Sequence, residues 1–312
     1  MQNLIVTINM VMPVFLVMVV GYICRSMKMV SAENVSAMNK LVFKLFLPIS
    51  LAKSLMTLDP AADINYSVML YCMAGVAATF ILSIIIVPRL IKGNRQRGTV
   101  IQALFRSNYA ILGIPLIESL FPQSDNGVSA MMVMVTVPLF NVLAVITLET
   151  FRGGSFNIKK ILLGILKNPL IWGCVIGFAV FKSGVAMPEL VMSTVSKLAS
   201  IASPLALFAL GATIDLKKLK GNLKLLIPTV SARLVVIPGI LLLIAYLLGY
   251  RGPEFAALMI AFGAPCAVSS YTMAEQMGAD GDLAAQLVML TTVLSIFSIF
   301  CIVLTCKTIN IF

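Results

Sequence analysis

Apolar residues along this chain come in long blocks, separated by short stretches that carry most of the charge. A helix needs about 20 largely apolar residues to cross hydrocarbon. On that rule ten blocks qualify, at residues 4–23, 35–56, 66–88, 99–121, 127–149, 168–184, 189–213, 225–248, 255–277 and 283–306. The sixth is short. Before it lies 157–167, whose lysines and leucines suit an amphipathic helix on the membrane surface. Residues 1–20 have no Lys or Arg ahead of the apolar run and no small-residue cleavage site after Gly21, so they read as a first span rather than a signal peptide.

The charged connections orient the blocks. Connections one, three, five and seven hold fourteen basic residues: Arg25 and Lys28; Arg89, Lys92, Arg95 and Arg97; Arg152, Lys159, Lys160 and Lys167; Lys217, Lys218, Lys220 and Lys224. Connections two, four, six and eight hold only Lys182 and Arg251. Lysine and arginine are retained on the cytoplasmic side, which predicts an inner-membrane, multi-pass protein with both termini outside.

The second half of the chain echoes the first. Leu47-Pro48-Ile49-Ser50 resembles Ser203-Pro204-Leu205-Ala206, Gly113-Ile114-Pro115 matches Gly263-Ala264-Pro265, and Asn141-Val142-Leu143 faces Thr292-Val293-Leu294. The offsets are 156, 150 and 151 residues, so one alignment nearly serves all three. Five spans per copy is an odd number, and the two copies must then cross in opposite senses, a plan common among secondary transporters. The predicted fold is an all-α integral membrane protein of ten transmembrane helices in two inverted five-helix repeats. Residues 1–150 form the first repeat, 151–167 a cytoplasmic loop with an interfacial helix, and 168–312 the second repeat.

Two blocks contain their own interruption. Proline leaves the carbonyl four residues earlier without its donor, so Pro115 frees Ile111 and Pro265 frees Ala261. One such proline would ordinarily mean a kink. Two G-x-P triplets at matched repeat positions instead predict broken helices 4 and 9, crossing near the midplane, with half-helices starting at Pro115 and Pro265. Their N-termini would each offer roughly half a positive charge to one anion. The candidate solute-binding residues are Asn108, Tyr109, Gly113, Ile114, Pro115, Asn141, Gly263, Ala264, Pro265, Cys266 and Ser269. Arg106 and Arg233 sit roughly 10–12 Å along their spans by helical rise, and are expected to snorkel to the interface as anchors.

Composition narrows the chemistry. Of 312 residues, 60% are hydrophobic and 11% charged, with a mean hydropathy of +1.03. That excess of apolar surface has to face lipid. The chain has no histidine, so imidazole catalysis and His-ligated metals are excluded. None of its six cysteines forms a C-x-x-C pair, and no cofactor is expected. The net charge of +11 is scattered between apolar blocks, which argues against a nucleic-acid partner. No Asp or Glu falls at a predicted midplane, which counts against a dedicated cation/proton antiporter.

Ser107-Asn108-Tyr109-Ala110-Ile111-Leu112-Gly113-Ile114-Pro115-Leu116 comes first among four ordered motifs. Lys167-Asn168-Pro169-Leu170-Ile171, Pro204-Leu205-Ala206-Leu207-Phe208-Ala209-Leu210-Gly211-Ala212 and Gly263-Ala264-Pro265 follow. Together they resemble the auxin efflux carrier family. The resemblance implies a scaffold domain, a transport domain and a crossover at Pro115 and Pro265, working by alternating access. Its bacterial branch includes malate and malonate permeases; its plant branch exports auxin. The expected function is thus secondary transport of a small organic anion, a mono- or dicarboxylate or an auxin-like acid. Coupling to H+ or Na+ and a homodimer through the scaffold stay open. So do a Na+-coupled carrier resembling the bile-acid symporters and a channel or ligand sensor without turnover.

Overall fold

The computed structural model describes residues 2–57, 66–109, 117, 120–121, 127–152, 158–185, 187–214 and 216–311. Within them the chain is helical throughout. Helix α1 is Gln2–Ser26, α2 Ala32–Met56, α3 Tyr66–Leu90, α4 Asn94–Phe105, α5 Gly127–Arg152 and α6 Ile158–Lys167. Then come α7 Pro169–Ser183, α8 Glu189–Thr213, α9 starting at Leu216 and ending at Leu247, α10 Gly252–Gly263, α11 Ser269–Gln276 and α12 Gly281–Thr308. Among the described residues six stretches are long and apolar enough to cross a membrane: α2, α3, α8, α12, the 135–152 part of α5 and the 221–247 part of α9. Shorter apolar helices are Phe15–Ser26, α7 and α10.

Local sequence explains the ends. Asn168 caps α7 by accepting the Leu170 N–H at 2.9 Å, with Pro169 in the first turn where its missing N–H costs nothing. Asp280 caps α12 through the Leu283 N–H at 3.0 Å. The blocks read from hydropathy agree with these helices to within a few residues in most places. The fourth begins earlier, at Asn94, and the eighth at Leu216, because their basic first turns reach beyond the apolar core.

Two helices widen for one turn. Residues Val42–Phe46 of α2 and Ala232–Val236 of α9 are π-helical, with Leu47 N–H bonding Val42 O and Ile237 N–H bonding Ala232 O. Each turn precedes a proline, Pro48 or Pro238, that cannot donate to the carbonyl four residues back. Widening the helix there rearranges the bonding around the missing donor.

The molecule is oily outside, and its largely apolar interior also encloses a set of polar groups. Leu70, Ile81, Leu82, Ile240 and Leu243 are exposed on α3 and α9, whereas Thr99, Gln102, Arg106, Asn141, Thr291 and Ser295 are buried. That distribution suits a lipid surround.

Two seams bring backbones into direct contact. On α7, Gly173 and Gly177 lie against α2; a Cβ at either would fall 2.5 Å from the carbonyl oxygen of Pro48 or Ala52. On the α1–α8 seam, a Cβ at Gly21 would meet Phe208 O at 2.1 Å and one at Gly211 would meet Met18 O at 1.9 Å. Small residues at four-residue spacing allow helices to approach this closely. We expect Gly177→Leu to lower stability by about 1–3 kcal/mol in a detergent thermal melt, because neither backbone can yield. Gly239→Ala, which meets nothing within 4 Å, should leave the melt unchanged or raise it slightly.

Candidate functional site

Helix α4 stops at Phe105, and Arg106 takes an extended conformation (φ −90°, ψ 112°). Helix α10 stops at Gly263, and Ala264 is also extended (φ −67°, ψ 154°). The residue before a proline is pushed out of the helical region, so Pro265 ends α10 one residue ahead of itself. The two extended segments meet. Ser107 lies opposite Cys266 in an antiparallel bridge, and the Asn108 N–H donates to Pro265 O at 2.9 Å. Cys266 N–H donates to Thr291 Oγ1 at 3.1 Å, and its thiol to Ala103 O at 3.3 Å. Gln102 Nε2 reaches Ser270 O at 3.2 Å.

This geometry corrects two expectations. The second half of the ninth block begins at Ser269 rather than at Pro265, because pairing with the 106–108 segment keeps Cys266 extended. The fourth block leaves helical geometry at Arg106, well before Pro115. Gly113, Ile114 and Pro115 themselves lie outside the described residues.

Beside the bridge is a cavity of about 90 Å³, room for several waters or a few solute atoms. The interruptions contribute Arg106, Ser107, Asn108 and Tyr109 from one side and Ala267, Val268 and Ser269 from the other. Helix α2 adds Ser50 and Ser54, α5 adds Phe140 and Asn141, and α8 adds Ser203. Ser107 Oγ, Asn108 Nδ2 and Tyr109 OH are buried and have no hydrogen-bond partner among the described residues.

Arg106 is the group that sets the character of this cavity. It is only 2% exposed, yet it meets no carboxylate among the described residues, where the one ion pair is Arg152 with Glu149 at 3.3 Å. Its guanidinium donates to Asn141 Oδ1 and Ser269 Oγ at 2.8 Å each and to Met273 Sδ at 2.7 Å. Asn141 Nδ2 is held by Val137 O at 2.7 Å, which fixes the amide with its oxygen toward the arginine. These are neutral partners. They orient the cation without cancelling its charge, and a desolvated cation strongly favours an anion beside it.

A second cavity of about 430 Å³ is lined by Arg25, Ser36, Asn39, Thr213, Tyr271 and Glu275, among others. Thr213 Oγ1 donates to Ala209 O at 2.9 Å, so the 2.5 Å contact with Tyr271 has the phenol as donor. Asn39 Nδ2 in turn donates to Tyr271 OH at 2.7 Å. Helices α2, α8 and α11 contribute to both cavities, with Ser50 and Asn39, Ala206 and Thr213, and Ser269 and Tyr271.

Of the residues singled out from sequence, Asn108, Tyr109, Asn141 and Ser269 line the first cavity. Cys266 forms the bridge and Pro265 accepts the Asn108 N–H, while Gly263 and Ala264 end α10 just before them; none of the four lines the cavity. Both arginines depart from expectation: Arg106 and Arg233 (1% exposed) are buried instead of snorkelling, because the interruptions give them carbonyls, an amide and a hydroxyl to bond. Sequence reasoning also missed Ser50, Ser54 and Ser203, although the Pro48-Ile49-Ser50 and Ser203-Pro204 echo between halves marks the same place.

Comparison with known proteins identifies a transporter family. A family profile described as "Membrane transport protein" matches residues 6–303. An "Uncharacterized transporter" from Methanothermobacter thermautotrophicus is 23% identical over 293 residues, covering 93% of this chain and 95% of that protein.

Antiparallel partners hold their Cα atoms about 4.5–5.5 Å apart, within the span of a disulfide. With the other five cysteines replaced, Ser107→Cys should therefore link to Cys266 on mild oxidation, read as joined peptides by mass spectrometry. Failure to link in folded protein would show that the bridge is not formed.

Proposed function

The chain belongs to the membrane transport protein family, the auxin efflux carriers, and from that premise we propose that it carries a small organic anion across the cytoplasmic membrane by alternating access. It is a transporter and not an enzyme. Malate, malonate and auxin-like acids are the solute class. The binding place is the cavity beside the bridge, and the buried Arg106, with no carboxylate partner among the described residues, is the observation that carries this reading.

The donors support it. Arginine forks match carboxylate geometry and make hydrogen bonds roughly twice as strong as neutral ones. Asn108 Nδ2, Ser107 Oγ and Tyr109 OH, without partners among the described residues, add donors that an acceptor-rich solute would satisfy. A cation, or a solute with donors alone, would leave the Asn108 amide nitrogen and the arginine charge unmet. The Asn39–Tyr271–Thr213 chain lines the second cavity on helices that also line the first, and serves in this reading as a barrier between two sides of the membrane. Inverted repeats, a scaffold and a moving crossover domain fit the matched interruptions, and the basic odd-numbered connections fit termini on the outer face.

Uptake of radiolabelled malonate, malate and indole-3-acetate into proteoliposomes tests the proposal, with Na+ or a proton gradient supplied in separate arms to identify the coupling ion. Arg106→Gln should raise the half-saturating concentration of the preferred acid about 10- to 100-fold, as expected for losing a charged hydrogen-bonding partner. Arg106→Lys should retain part of the affinity. Uptake of neutral amides as good as that of acids, or indifference to Arg106→Gln in protein with an unaltered melt, would overturn the reading.

A further inference from the structure

The second buried arginine is not in the cavity and has a different task. Arg233 projects from the π turn of α9 into the interior, where Nε and Nη2 donate to Ala264 O at 3.1 and 2.7 Å, and Nη1 donates to Leu104 O at 3.1 Å. Leu104 belongs to the last turn of α4, and Ala264 is the residue that ends α10. One guanidinium thus spans the C-terminal ends of both interrupted helices.

The charges match. Each helix C-terminus carries the equivalent of roughly half a negative charge, concentrated on carbonyls that have lost their intrahelical donors. Two such ends brought together repel each other and expose orphan carbonyls to a medium without water. A single guanidinium carries the compensating unit of charge and supplies several donors in one rigid plane. Lysine would supply the charge but only a point donor, without a fork to reach both ends. Arg106 has neither helix end as partner, which is why its charge remains for the cavity.

We propose that Arg233 is a positioning residue: a two-ended clamp that holds the α4 and α10 termini together and so fixes the 106–108 segment that lines the solute cavity. Its widened turn is part of the device, since the extra residue of a π turn re-aims the side chain relative to the regular helix on either side. The effect on transport rests on the reading of the cavity given above; the clamp itself does not.

The test uses purified full-length protein carrying Ser107→Cys in the single-Cys266 background, with Arg233 kept or changed to Lys or Met. Arg233→Met should slow the Ser107→Cys link to Cys266. It should also speed amide exchange roughly 10- to 100-fold in peptides covering 104–109 and 264–268, the equivalent of losing one or two charge-assisted bonds. Peptides from the α1–α8 seam should be unaffected, and Arg233→Lys should fall between. In the native-cysteine background, Arg233→Met should raise the half-saturating concentration for the transported acid although the residue does not line the cavity. Unchanged linking and exchange, or an equal increase of exchange in every helix, would overturn the clamp. Local loosening with unchanged uptake kinetics would uphold the clamp and overturn the placing of the solute beside the bridge.

Discussion

A backbone that leaves helical geometry inside an apolar molecule must find new partners for every N–H and C=O it releases. That requirement organises this protein. The two interruptions answer it largely through each other and through the helices around them. Asn108 N–H goes to Pro265 O across the bridge, Thr291 takes the Cys266 N–H, the Cys266 thiol and Gln102 reach carbonyls on the facing segment, and Arg233 takes the helix ends. Neither break could be satisfied alone in hydrocarbon. The pairing of two breaks is therefore a condition of either one existing.

Charge follows the same logic. Two arginines lie fully inside a protein whose described residues bring no carboxylate to either. Burying an isolated cation is costly, so each must be met by dipoles. Arg233 is met by two converging helix ends, Arg106 by an amide oxygen, a hydroxyl and a thioether, a weaker and less directional set. The difference in solvation between two chemically identical side chains is the basis for the separate tasks proposed for them.

Much of this was legible in the sequence, and the reasons for the rest are specific. Hydropathy found the helices because lipid demands an apolar exterior, and the Gly263-Ala264-Pro265 triplet found the second interruption because proline deletes a donor whatever surrounds it. Asn108, Asn141 and Ser269 were recoverable because polar side chains within apolar blocks need partners. The arginines were misjudged because counting rise along an intact helix assumes lipid at every depth. In the folded molecule α4 has already ended at Phe105, and the space beside it is polar. The extended geometry of Arg106 had no local signal, since it is imposed by a partner segment more than 150 residues away. The π turns were likewise silent, for a proline announces a missing bond but not whether the helix kinks or widens.

The glycine seams carry a mechanical consequence. Where Gly173 and Gly177 rest on the α2 backbone, and Gly21 and Gly211 join α1 to α8, no rotamers lie between the two surfaces. Such joints are stiff, because displacement cannot be absorbed by side-chain rearrangement and must pull the backbones apart. Compliance is thereby concentrated elsewhere, along faces where long, unbranched side chains such as Met273 intervene. Uneven elasticity of this kind directs thermal motion into a few sliding surfaces while pairs of helices travel as single rods.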